Sequence, residues 1–305
     1  MSDWVRPAGS TGDAEFDVRI VPGDPGWSHT GLYAVTLAAG ESRTIDTGDC
    51  EWLVLPLSGG SAVVQVGELV FFLTGRADVF AGPTDLLYVP RDSRFTLTST
   101  DGGRIALPFA KADRAFPVCR VDSAQVRVEL RGAGSSSRQV NNLATPDVLE
   151  ADSIIVCEVI TPAGNWSSYP PHKHDEDRDG VETALEEIYY IEVRPESQTG
   201  GEDGGQAGSG DGALAGVGYL RNYGTQAAPI DTLAEVRSGD VVLIPRGWHG
   251  PAMAPPGYDL YYLNVMAGPG RTRAWLICED PAHAWVRGTW VTQPVDPRLP
   301  FPRAR

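Results

Sequence analysis

The sequence predicts an all-β chain made of two similar β-domains, and three observations carry that expectation. No long segment shows apolar residues at a 3.6-residue period between capping residues. Short apolar runs recur instead between turn residues, in a chain with 35 glycines and 24 prolines. That is the pattern of sandwiches and barrels. One such β-unit occurs twice, and 305 residues suffice for two medium domains.

The repeat is read from two strings. Asp85-Leu86-Leu87-Tyr88-Val89-Pro90-Arg91 follows Gly82-Pro83, and Asp240-Val241-Val242-Leu243-Ile244-Pro245-Arg246 follows Gly239. Each is a turn acid, four apolar strand residues and Pro-Arg. Extending the alignment sets Arg94 where His249 stands. A looser match sets Glu51-Trp52-Leu53-Val54-Leu55 against Glu187-Ile188-Tyr189-Tyr190-Ile191. Glu51 and Asp85 lie 34 positions apart, and Glu187 and Asp240 lie 53 apart, an excess of 19. A low-complexity stretch from Glu196 to Leu214 accounts for that excess and reads as a flexible hairpin loop. The Gly/Ser stretch 131–137 separates an N-terminal domain, 1–135, from a C-terminal domain, 136–305.

Charge and cysteine usage exclude several classes. A net charge of −15 and a pI near 4.7 argue against nucleic acid or anionic membrane as partner. The cysteines, Cys50, Cys119, Cys157 and Cys278, are widely spaced with no CxxC pair, which suits free thiols in a reducing cytoplasm. The start, Met1-Ser2-Asp3-Trp4-Val5-Arg6-Pro7, has neither the basic nor the apolar region of a signal peptide. No apolar run reaches the roughly 18 residues that would span a membrane as a helix. Self-association into a homo-oligomer is left open.

The chemistry concentrates in three of the five histidines. In Pro170-Pro171-His172-Lys173-His174, strand alternation turns His172 and His174 to one face and Lys173 to the other. Glu187, in Leu185-Glu186-Glu187-Ile188-Tyr189-Tyr190, offers an oxygen ligand, and His249, in Pro245-Arg246-Gly247-Trp248-His249, a third nitrogen. Three imidazoles and a carboxylate suit one divalent metal ion with a position open to substrate. An isolated HxH pair is also met as two surface histidines; the accompanying acid and the Pro-x-Gly-x-His turn favour the metal. Zinc is the first choice, with manganese and iron(II) as alternatives. The first half lacks an HxH pair, so a single metal in the C-terminal domain is expected.

The spacing Gly239-x5-Pro245-x-Gly247-x-His249, after His172-x-His174 and Glu187, resembles the two motifs of cupins, which are double-stranded β-helix (jelly-roll) proteins. It departs from them twice. One residue, not two, separates Gly247 from His249, and Glu187 lies thirteen residues after His174. An inserted acidic loop at Asp175-Glu176-Asp177-Arg178-Asp179-Gly180 accounts for the second departure. Longer strings are more specific. Ser168–Asp175, Leu185–Tyr190, Val241–His249, Gly257–Gly268 and Asp280–Trp290 look like the 5-deoxy-glucuronate isomerase family. These are bicupins of myo-inositol catabolism, related to the 5-keto-4-deoxyuronate isomerase of pectin breakdown. The resemblance is strong over about residues 165–290 and diffuse before 140.

What the resemblance implies is isomerisation of a small sugar acid, 5-deoxy-glucuronate, to 2-deoxy-5-keto-gluconate. A divalent metal held by His172, His174, Glu187 and His249 would polarise the carbonyl and adjacent hydroxyl. Glu187 is preferred to Glu186 because the family's acid directly precedes the Ile-Tyr-Tyr run, and adjacent strand residues face opposite ways. The substrate carboxylate calls for a guanidinium. Arg246, Arg221 and Arg178 are the candidates, each weighed against a surface ion pair or solvated loop. Tyr262 and Asn264 share one strand face and are the candidates for catalytic roles, against a core role. Lys173 reads as structural, His283 as a surface or interface residue, and His29 has no assignment. An iron-dependent dioxygenase fits the same ligands. A storage bicupin fits worse, because such proteins usually lack the metal histidines.

Deleting residues 198–213 is expected to leave soluble, active protein, because loop-closure cost changes by only about 0.6 kcal/mol per doubling of length. Loss of soluble protein on deletion would show that the stretch packs against the domain.

Overall fold

A computed structural model describes residues 4–23, 26–196 and 216–302. The Gly-rich stretch expected to form a hairpin loop lies almost wholly outside the described residues.

The regular structure of the described residues is almost all antiparallel strand, with one four-residue helix at Val286–Thr289 and a few 3-10 turns. In the first half a six-stranded sheet runs in the order Cys119–Val121, Leu86–Val89, Cys50–Gly59, Gly103–Lys111, Thr30–Leu37, Val18–Ile20. It faces a four-stranded sheet of Ser42–Asp46, Arg94–Ser99, Ala62–Val66 and Leu69–Leu73. In the second half a seven-stranded sheet is centred on Val241–Ile244, Glu186–Pro195, Tyr258–Ala267 and Ile155–Thr161. Its partner sheet is Asp231–Val236, Gly218–Tyr223, Trp248–Met253, His172–Lys173 and Cys278–Glu279. The all-β class expected from the sequence is the class observed. The division expected at residue 135 does not coincide with a sheet boundary: Val5–Arg6 and Arg127–Arg131 both hydrogen-bond into the C-terminal sheet.

The two large sheets also pack on each other, which explains why their central strands are apolar on both faces. Along Glu186–Pro195, Tyr189 and Ile191 enter the C-terminal barrel core, whereas Ile188 and Tyr190 enter the core shared by the halves. Along Cys50–Gly59, Trp52 and Val54 face the N-terminal barrel, and Leu53, Leu55 and Leu57 face the shared core. A strand buried on both sides has no polar face to alternate.

Strand register corrects the looser sequence match by one residue. Trp52 pairs with Val89 as Glu187 pairs with Ile244, so Glu51 corresponds to Glu186 and Trp52 to Glu187. Glu51 and Glu186 do equivalent work from opposite sides. Glu51 accepts the backbone N–H groups of Asp152, Ser153 and Ile154 at 2.7–2.8 Å. Glu186 accepts those of Ser28, His29 and Thr30 at 2.6–2.9 Å. The alignment of Arg94 with His249 needs the same correction. Arg94 is exposed and pairs with Asp46, while its neighbour Phe95 is the side chain that enters the barrel. The N-terminal barrel is filled by aromatics, with Trp52 stacked on Phe109 at 4.0 Å and in edge contact with Tyr33 and Phe95.

A buried ion pair locks the halves together. Arg76 grips Glu158 with two nitrogens, and Glu158 also accepts from Tyr261 Oη at 2.7 Å and Asn141 Nδ2 at 3.1 Å. Arg76→Met strands that carboxylate in the interior and is expected to lower unfolding free energy by about 3–5 kcal/mol. Adding Glu158→Gln should recover part of the loss. Urea melts showing no change in the single variant would contradict this account of the interface.

Candidate metal centre and active-site cavity

The turn before His249 is built by Gly247 and braced by the acidic loop. Gly247 has φ +85, and a Cβ there would lie 2.7 Å from the Tyr223 carbonyl oxygen. Its N–H donates to Asp175 Oδ2 at 2.7 Å. Lys173 Nζ in turn holds Asp175, Glu176 and the buried Glu182 at 2.6–3.0 Å and lies 5.7 Å over the Trp248 ring. Lys173 is thus the brace of this loop. Arg178 belongs to the same network, paired with Glu182.

Three of the four expected ligands, His174, Glu187 and His249, come together, and His172 stands beside them. His172 lies directly across the ladder from His249. Their ring centroids are 4.4 Å apart, and those of His174 and His249 are 4.6 Å apart. Glu187 Oε2 sits 3.3 Å from His174 Nε2 and 3.2 Å from His249 Nε2. These three residues form a possible metal site, with ligand atoms all within 4.8 Å of one another. His174 Nδ1 is 3.1 Å from the Leu185 carbonyl oxygen, and His249 Nδ1 is 3.2 Å from that of Gly247. Donation from Nδ1 leaves each Nε2 lone pair aimed inward.

Electrostatics fit a cation. His174 Nε2, Glu187 Oε2 and His249 Nε2 are buried and have no hydrogen-bond partner. A buried carboxylate oxygen and two buried imidazole nitrogens left unpaired together are costly unless a further group joins them. Burial pushes His172 down to about 3, with His174 as a like charge beside it. Burial and His172 likewise hold His249 well below its ordinary value. For His174 burial acts downward but is outweighed by the Glu187 carboxylate beside it, so its value rises. His172 and His249 are therefore neutral, as metal ligation requires.

His172 opens onto a cavity of about 380 Å³. Tyr189, Tyr262 and Asn264 share its wall. Tyr262 Oη donates to Ser167 Oγ at 2.9 Å, and burial raises its pKa. Asn264 Oδ1 is buried without a hydrogen-bond partner. The arginines singled out from the sequence are not part of this wall. Arg178 is tied to Glu182, and Arg221 to Asp231 with its guanidinium 5.3 Å over Tyr223. Arg246 donates to the Pro229 carbonyl oxygen at 3.1 Å. Arg221 instead faces a separate surface hollow, together with the half-buried His283.

The cavity's own cations are Arg131, Arg138 and Arg287, flanked by Trp275 and Trp290. Arg138 is buried, and burial holds its guanidinium down to about 10. Sequence reading passed over it because it follows the run Ser135-Ser136-Ser137, taken as a domain boundary. It opens the strand Arg138–Ala144, and alternation along that strand puts it on the face of Val140, which also lines the cavity.

Comparison with known proteins now decides the lineage. The KduI/IolB family model matches residues 4–286. The chain belongs to the KduI/IolB family. The match therefore extends through the N-terminal half, where the motif resemblance was diffuse. A 5-deoxy-glucuronate isomerase of Geobacillus kaustophilus is 37% identical over 289 residues, covering 94% of this chain and 96% of that one. The crystal structure of an IolB-like protein from Salmonella typhimurium LT2 superposes with a TM-score of 0.80 at 32% identity, covering 93% and 99% of the chains. An oxalate decarboxylase from Lactobacillus farciminis superposes with a TM-score of 0.61 at 11% identity, covering 92% and 89%, which shows a shared bicupin fold and no more.

A divalent metal added to metal-free protein is expected to bind at about one ion per chain and raise the melting temperature. Glu187→Gln and His249→Ala should each abolish that rise. Two ions per chain by elemental analysis, or a rise preserved in both variants, would contradict the site.

Proposed function

We propose that the chain is a metal-dependent aldose–ketose isomerase that converts 5-deoxy-glucuronate to 2-deoxy-5-keto-gluconate in myo-inositol catabolism. The observation that carries this reading is the group of three buried, unpaired ligand atoms beside a cavity onto which His172 opens. Isomerases of 5-deoxy-glucuronate among the relatives supply the substrate.

His172, His174, Glu187 and His249 would hold the ion, zinc being the first choice and manganese or iron(II) the alternatives. When bound, such an ion polarises a carbonyl and its neighbouring hydroxyl. Leu185 and Gly247 hold the two imidazole tautomers, so the ligand set needs little rearrangement on binding. Substrate and product are isomers, so one hydrogen moves between adjacent carbons and no nucleotide or oxygen is consumed. Tyr262 enters as a neutral hydroxyl, since burial disfavours its phenolate. Its bond to Ser167 fixes the oxygen as an acceptor or relay for a substrate hydroxyl. Asn264 Oδ1 is free to accept a substrate O–H. The acid-loop arginine Arg178 and the outer Arg221 and Arg246 are left out of the substrate contacts. The four unpaired thiols suit a reducing cytoplasm.

Anaerobic incubation of metal-loaded protein with 5-deoxy-glucuronate should replace the aldehyde or hydrate NMR signals by those of a ketone, and His249→Ala should abolish the change. A parallel incubation with 5-keto-4-deoxyuronate tests the related substrate. Oxygen uptake with iron(II) and no isomerisation of either sugar acid would contradict the proposal.

A further inference from the structure

Three guanidinium groups share the cavity with His172, and two of them already have carboxylate partners. Arg131 Nε lies 2.9 Å from Glu129 Oε1, and Arg287 is paired with Glu279. Both are substantially exposed at the rim, with side chains 30% and 47% accessible. Arg138 differs. It is 8% exposed and forms no ion pair with any carboxylate among the described residues. Its Nη1 donates to two neutral acceptors, the Ser136 and Tyr169 carbonyl oxygens at 3.0 and 3.3 Å. Nε and Nη2 make no hydrogen bond to protein among the described residues. The guanidinium plane is steadied by Trp290, whose ring centroid is 5.5 Å away. Burying a cation without a counter-charge is costly. A guanidinium fork with two free donors matches a carboxylate bidentately.

We propose that Arg138 is the carboxylate anchor of the site and sets its preference for sugar acids over neutral sugars. The inference rests on the isomerase reading. In that substrate the aldehyde and the carboxylate terminate opposite ends of a six-carbon chain. A site that handles both ends needs an electrophilic group at one and a cation at the other, in one cavity. His172 and Arg138 are both on the cavity wall. The rim arginines stay paired with Glu129 and Glu279.

The test uses the full-length, metal-loaded protein and, as a non-reacting probe, the sugar acid with its aldehyde reduced to the alcohol. By calorimetry Arg138→Gln should weaken binding of this probe about 100-fold. Metal affinity and melting temperature should stay at the wild-type values. Arg138→Lys, which keeps the charge but not the fork, should lose about 10-fold and decides the matter if the Gln variant does not fold. Rates on the acid should fall with the probe affinity. Those on the neutral sugar carrying a hydroxymethyl group in place of the carboxylate should not. Unchanged probe affinity overturns the proposal, as does a parallel loss of metal affinity or of the neutral-sugar rate, which would mark Arg138 as a brace for Ser136 and Tyr169. If wild-type protein binds the probe through Arg138 yet isomerises neither sugar acid, the anchor stands and the isomerase reading fails.

Discussion

Three buried ligand atoms gathered within 4.8 Å of one another are the constraint on which the site depends. His174 Nε2, Glu187 Oε2 and His249 Nε2 lie within hydrogen-bonding range of one another's residues, yet none has a hydrogen-bond partner. Both imidazoles spend their other nitrogen on a backbone carbonyl, so in its neutral form neither has an Nε2 proton to give the carboxylate. A folded chain tolerates such an arrangement when a cation completes it, and the cost of leaving it incomplete is several kcal/mol. The neighbouring structure serves this geometry: Asp175 fixes the Gly247 turn, and Lys173 fixes Asp175.

The same strand that brings Glu187 inward sends Glu186 outward, and both carboxylates are used. Glu187 joins the barrel side with Tyr189, and Glu186 joins the side facing the other half, where it accepts three backbone N–H groups. The N-terminal half repeats the outward half of this plan through Glu51 but places Trp52 where Glu187 stands. Stacked on Phe109, Trp52 makes that barrel an apolar core. The two halves share one architecture, and their inward positions differ: Trp52 and Phe95 fill the N-terminal barrel where Glu187 and His249 stand in the other.

Much of this was legible in the sequence, because the ligand residues carry their own local signals. The HxH pair, the acid before Ile188-Tyr189-Tyr190 and the Gly247 turn each needed only strand alternation and turn chemistry to be placed. Register over longer distances was not legible. Glu51 was set against Glu187 and not Glu186, and Arg94 against His249 although Phe95 is the residue that enters the barrel. An error of one residue inverts the face of a strand, and apolar runs buried on both sides offer no alternation to correct it. The arginines failed for another reason. Ion-pair partners such as Asp231 for Arg221 and Glu182 for Arg178 are set by tertiary pairing, so no string reveals which guanidinium remains unpaired. Arg138 is the unpaired one on the cavity wall, and the serines preceding it read as a linker.

The central claim is that a cation at the imidazoles faces one end of a bound sugar acid. Anomalous diffraction from a crystal soaked with a divalent metal and the aldehyde-reduced acid tests it most directly. The account predicts one anomalous peak within about 2.3 Å of the Nε2 atoms of His174 and His249 and of a Glu187 oxygen, with the reduced end of the ligand beside it. A peak elsewhere, or a ligand bound away from the His172 cavity, would contradict it.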